Sequence, residues 1–228
     1  MLEIKGSTIE LGGGELEFDR CESVHLKGFD GDDTFHVSAN NRLVEVHGGD
    51  GDDLLEVDDD CQRGVRFLGG AGQNKLIVNG SEGNDSLGLH VERGSQLSYR
   101  IMRSGYRSVA FYDTQAIVIN GLGGHDHLWA GRTTIRVSLN GGDGDDTLFG
   151  AIRVPVAYDD DGFVSEYHLA GCYIDGGAGN DVIFLRSRRA YRLGEASWDV
   201  NTVLGGAGDD SIEGEVLGKD LVDLGPDQ

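Results

Sequence analysis

Aspartate and glycine recur in this chain at fixed offsets, and together the two residue types suit one task, surrounding a cation with oxygen. A carboxylate offers two oxygens, and glycine lets the backbone turn sharply enough to aim its carbonyls inward. Aligned on glycine, eight segments share the arrangement: GFDGDDTF, GGDGDDLL, GGAGQNKL, GSEGNDSL, GLGGHDHL, GGDGDDTL, GGAGNDVI and GGAGDDSI. They start at Gly28, Gly48, Gly69, Gly80, Gly121, Gly141, Gly176 and Gly205. The sixth position is Asp33, Asp53, Asp85, Asp126, Asp146, Asp181 or Asp210, with Asn74 the exception. The eighth is apolar in every copy: Phe35, Leu55, Leu76, Leu87, Leu128, Leu148, Ile183 and Ile212. The first six positions of the copies cover 48 of 228 residues yet hold 22 of the 38 glycines, so the glycine excess belongs to these loops.

The pattern resembles the GGxGxDxUx nonapeptide of RTX (hemolysin-type) calcium-binding repeats, and the resemblance spans Gly28 to Ile212. It implies a calcium ion between each pair of stacked loops, held by an aspartate and by carbonyls from both. Calcium takes about 6–8 oxygens at about 2.3–2.6 Å, more than one loop supplies. The resemblance thus makes the eight first-position glycines and the eight sixth-position residues, Asn74 included, the metal set. Asp30, Asp50 and Asp143 at the third position join it, while Asp32, Asp52, Asp145 and Asp209 add mainly negative field. Export to the extracellular space or cell surface is a further implication, although the opening MLEIKGSTIELGGG shows no leader pattern. This chain departs from the family in spacing, because a strand separates most copies.

Those loops need elements to stack them. The copies start 20, 21, 11, 41, 20, 35 and 29 residues apart, and a half-coil of about ten residues, one loop and one strand, accounts for most steps. Strands are expected at 43–46, 65–68, 97–101, 108–112, 117–119 and 135–139. The expected fold is all-β, a right-handed parallel β-roll or β-helix solenoid. Residues 1–27 form capping strands that make up the first coil, 28–212 the calcium-binding solenoid and 213–228 a C-terminal cap or tail. The 35 and 29 steps carry insertions near 151–170 and 186–199, the best places for partner contact. The single 11-residue step moves the loops from one edge to the other. Gly28, Gly48 and Gly69 then stack on the first edge, and the remaining five on the second. MRSGYR at 102–107 lacks acidic residues and is expected to leave a gap between the Gly80 and Gly121 loops. That count gives about five calcium ions, with the Gly69 loop the weakest contributor.

A net charge of -21 and a pI near 4.5 argue against nucleic acid and anionic membranes. No apolar run is long enough to span a bilayer. Cys21, Cys61 and Cys172 lack metal or disulfide spacing and read as buried free thiols. His125 and His127 flank Asp126, but HExxH, GxSxG and phosphate-loop motifs are absent, so no catalytic residue is assigned. Asp58–Asp60 and Asp159–Asp161 read as solvated loops, and Arg186, Arg188, Arg189 and Arg192 as an exposed basic cluster. The expected function is that of a structural or adhesive calcium-binding module. Its rivals are a carbohydrate-active or carbohydrate-binding module, which would contact surface polysaccharide, and a self-associating surface-layer or fibre subunit.

Overall fold

Between the glycine loops apolar and polar residues alternate, and period-two alternation makes a strand with one buried face. A computed structural model describes residues 2–5, 8–11, 14–17, 22–39, 41–92, 98–103, 108–131, 133–151, 154–158, 164–168, 171–185, 201–214 and 220–226. All regular elements among them are strands. The N-terminal part contains β1 (Leu2–Lys5), β2 (Thr8–Leu11), β3 (Gly14–Glu17), β4 (Ser23–Asp30), β5 (Thr34–Ser38), β6 (Leu43–Asp50), β7 (Leu54–Val57), β8 (Val65–Ala71) and β9 (Lys75–Asn79). Next come β10 (Ser86–Glu92), β11 (Ser98–Met102), β12 (Ser108–Tyr112), β13 (Ala116–Gly123), β14 (His127–Trp129), β15 (Arg136–Asp143) and β16 (Thr147–Phe149). The rest are β17 (Val154–Tyr158), β18 (Val164–His168), β19 (Cys172–Ala178), β20 (Val182–Leu185), β21 (Thr202–Ala207), β22 (Ser211–Gly214) and β23 (Leu221–Asp223).

From β4 to β9 and again from β13 onward, successive strands of the repeats alternate between two sheets. One has ten strands in the order β22-β20-β16-β14-β10-β11-β12-β8-β6-β4. The other has eleven, β23-β21-β19-β15-β13-β9-β7-β5-β1-β2-β3. Within these two sheets pairing is parallel except at β1–β2–β3 and β10–β11–β12. Register places like residues on like: Val24 meets Val44 and Val44 meets Val65, while Phe35, Leu55, Leu76, Ile117 and Val137 form one continuous row. Seven of the eight apolar eighth-position residues are buried, and Ile212 packs against the same core. That core is one side chain deep from each sheet, which makes it thin for its length. Cys61 and Cys172 are buried free thiols within it, and burial pushes the Cys172 thiol up to about 12; Cys21 lies outside the described residues.

Three segments differ from the sequence expectation. The stretch expected at 97–101 is no half-coil: β11 runs antiparallel to β10, and β12 then returns to pair with β8. β11 and β12 are thereby folded back into the ten-stranded sheet, and the 41-residue step adds no second coil between the Gly80 and Gly121 loops. Strands β1, β2 and β3 form an antiparallel meander beside β5 rather than a first coil. Asp58 and Asp59 are not simply solvated: Asp58 contacts His36 Nε2 at 2.7 Å, and Asp59 accepts a 2.9 Å ion pair from buried Arg103. The first insertion holds the hairpin β17–β18. Asp159–Asp161, the arginine cluster and the second insertion at 186–199 lie outside the described residues.

Candidate metal centre

The loops from Gly28, Gly48 and Gly69 carry the chain from the ten-stranded sheet to the eleven-stranded one. Those from Gly80, Gly121, Gly141, Gly176 and Gly205 carry it the other way. Because β4, β6, β8, β10 and the later repeat strands of the ten-stranded sheet point in one direction, the two sets lie at opposite ends of its strands. The single 11-residue step between Gly69 and Gly80 marks the crossing.

Stacking explains the glycines. At the second position Gly142 has a φ of +113°, and a Cβ there would collide with the carbonyl oxygen of Leu122 in the loop beneath. At the first position a Cβ on Gly121 would collide with Asp126 Oδ2 and the Gly141 carbonyl. Phe29 fills the second position of the first loop with a φ of 75°, and its own carbonyl is the one a Cβ on Gly49 would strike.

Each sixth-position residue divides its work between two side-chain atoms. In the first column the amide of Asp33 donates to Asp53 Oδ1 at 2.9 Å, and that of Asp53 to Asn74 Oδ1 at 2.9 Å. In the second column Asp85 donates to Asp126, Asp126 to Asp146, Asp146 to Asp181 and Asp181 to Asp210, at 2.7, 2.7, 2.8 and 2.9 Å. The other oxygen, Oδ2, is buried without a hydrogen-bond partner in Asp33, Asp53, Asp126, Asp146, Asp181 and Asp210. Beside it lies the first-position carbonyl of the next loop, from Gly48, Gly69, Gly141, Gly176, Gly205 or Leu224 respectively. Carboxylate and carbonyl oxygens are both acceptors and cannot satisfy one another. A cation can, and an oxygen-only donor set is the chemistry calcium prefers.

The same crowding disfavours negative charge when no cation is bound. Burial raises the Asp146 carboxyl to about 7 and Asp181 to about 6, with neighbouring carboxylates adding to the effect and backbone N–H donors opposing it. Burial likewise raises Asp53 and Asp126. These acids hold their protons more tightly folded than unfolded, where a carboxyl titrates near ~4. The stability of calcium-stripped protein should therefore fall as pH rises from about 4 through about 7. Thermal melts across that range, with and without excess calcium, check this; a stripped protein whose melting temperature is level or rising would contradict it.

Two sixth-position residues differ. Asp85 Oδ2 accepts from the Ser81 amide at 2.6 Å and the Ser81 hydroxyl at 2.8 Å. Asn74 turns its Nδ2 to donate to the carbonyls of Asp113 at 2.9 Å and Gly70 at 3.2 Å. A hydrogen bond thus stands there where other loops hold an orphaned oxygen, and the Asn74 amide donates onward to Gln115 Oε1 at 2.7 Å. The Gly80 and Gly121 loops are direct neighbours, so the expected gap at 102–107 does not exist.

Asp30, Asp50 and Asp143 are exposed, and the backbone carbonyls of Asp50 and Asp143 accept from Gly31 and Gly124 at 2.7 and 2.8 Å. The fifth position forms a second ladder of opposite polarity that sequence reasoning missed. Asp52 donates its amide to Asp32 Oδ1 at 2.8 Å, and Gln73 to Asp52 Oδ1 at 2.7 Å. Across the sheet the ladder runs through Asn84, His125, Asp145, Asn180 and Asp209. His125 belongs to it, because its Nδ1 accepts the Asp145 amide at 2.9 Å. Leu224 and Gly225 were missed too. They stack on Gly205 and Gly206 as first and second positions of a further loop, signalled only by a glycine after strand-like LVD.

A family model described as the RTX calcium-binding nonapeptide repeat matches four copies in this chain, over residues 137–152, 173–187 and 195–216. These matches fall within the second column. No curated protein and no solved structure matches the chain.

Proposed function

We propose, proceeding from a chain that carries RTX calcium-binding repeats, that it is a calcium-binding structural module of the extracellular space or cell surface, closed by calcium into a right-handed parallel β-roll. Six buried aspartate oxygens without partners carry the reading. Calcium, when bound, supplies the positive charge that lets neighbouring carboxylates stay ionised side by side. Two ions belong to the first column, at Asp33 and Asp53. Four belong to the second, at Asp126, Asp146, Asp181 and Asp210. Asn74 and Asp85 hold none, because an amide hydrogen and Ser81 already satisfy those places. The module works by holding shape rather than by catalysis. Extracellular calcium of ~1 mM suits sites of the weaker, extracellular class.

Counting ions by equilibrium dialysis tests the assignment. We expect six per chain, fewer with Asp181→Asn and an unchanged six with Asp85→Asn. A chain that takes up no calcium at neutral pH would sink the reading.

Carbohydrate binding has one observation in its favour, an aromatic row of Trp129, Phe149 and Phe184 in register across the ten-stranded sheet. Phe149 and Phe184 are stacked, with centroids 4.7 Å apart and an interplanar angle of 9°. Their facing surfaces are occupied by each other, which favours a structural ladder over a sugar platform.

A further inference from the structure

On the strands that lead into the first column, the ten-stranded sheet gathers nitrogen and oxygen donors that the calcium reading does not use. His25 on β4 lies in register with Glu45 on β6, and His47 follows Glu45 by two residues, on the same face. His47 Nε2 is 2.8 Å from Glu45 Oε1, and His25 Nδ1 is 3.4 Å from the same oxygen. One donor atom from each residue falls within 4.8 Å of the others. We propose that His25, Glu45 and His47 form a transition-metal site, selective for zinc or copper over calcium and built without the loop aspartates.

The chemistry separates this place from the columns. Imidazole nitrogen suits zinc and copper, whereas calcium takes hard oxygen. Two imidazoles and one carboxylate leave a fourth zinc position for water. Ligands on a tetrahedral zinc stand about 3.3 Å apart, so short side-chain rotations bring these donors into place. Their surroundings already orient them. Arg66 Nη1 takes Glu45 Oε2 at 3.1 Å, leaving Oε1 for the metal. The Ser23 hydroxyl lies 3.4 Å from His25 Nε2, so His25 presents Nδ1. Partners of this kind fix the orientation of metal ligands. The register of two strands builds the site, and the histidines lie 22 positions apart, so no local motif reveals it.

Calorimetric titration of zinc into the full chain, with calcium in excess, tests the proposal. One zinc per chain is expected, weakened at least ~10-fold by His25→Ala and by His47→Ala. The two side chains are 55% and 37% exposed, so neither substitution opens a hole in the core. Electron paramagnetic resonance of the copper-loaded wild-type chain needs no substitution; nitrogen couplings from two imidazoles are expected. Absent zinc binding, binding undiminished in the double variant His25→Ala/His47→Ala, or oxygen-only copper coordination would overturn the assignment.

Discussion

Stripping calcium at neutral pH should cost the chain its sheets, not merely its loops. Circular dichroism in excess chelator should lose the β signal, and added calcium should restore it. The melting temperature should climb with calcium concentration. At ten times its dissociation constant a ligand stabilises by about 1.4 kcal/mol, so six sites would supply roughly 8 kcal/mol. That is comparable to the ~5–15 kcal/mol net stability of an ordinary domain. The dependence follows from structure: six buried oxygens lack partners, and the core beneath them is thin. An unchanged melt in chelator would show that burial alone holds the sheets together.

The second large effect contrasts two residues at the same loop position. Gly142→Ala should destabilise the calcium-loaded chain by more than about 3 kcal/mol, read from the urea midpoint. A left-handed backbone alone costs an alanine about 1–2 kcal/mol. The rest comes from the Leu122 carbonyl, which has to move and thereby parts the loops around Asp126. Phe29→Gly should instead be neutral or stabilising by up to about 1 kcal/mol. Phe29 already sits at a φ of 75°, is 72% exposed and has no repeat loop beneath it. Equal losses at the two positions would mean that stacking does not dictate the glycines.

Much of this architecture is legible in the residues because stacking constrains them copy by copy. Glycine at the second position, aspartate at the sixth and an apolar eighth residue each answer a contact with the next loop. The 11-residue step between Gly69 and Gly80 therefore reveals the change of edge. What the spacing could not reveal is direction. A strand of about five residues, Ser98–Met102, reads the same whether it crosses to the other sheet or doubles back, and only pairing with β10 decides. The roles of Asn74 and Asp85 were hidden for a different reason. Each depends on a partner, the Asp113 carbonyl or the Ser81 hydroxyl, that the repeat pattern does not specify. The fifth-position ladder was obscured by its chemistry, since Asp, Asn and His serve there interchangeably as acceptors.

The folded-back strands also constrain the order of assembly. In most solenoids each repeat contacts only its neighbours in sequence, so folding spreads from wherever it starts one repeat at a time. Here β4 through β9 can be laid down in sequence, but β10 has no neighbour on the growing sheet. The place beside β8 belongs to β12, which comes later in the chain. Growth from the N-terminal side therefore halts until β10, β11 and β12 have formed as one antiparallel unit and docked together. The seam falls between the two calcium columns. In the ten-stranded sheet it separates two zippers, each free to start on its own, while the eleven-stranded sheet runs on from β9 to β13.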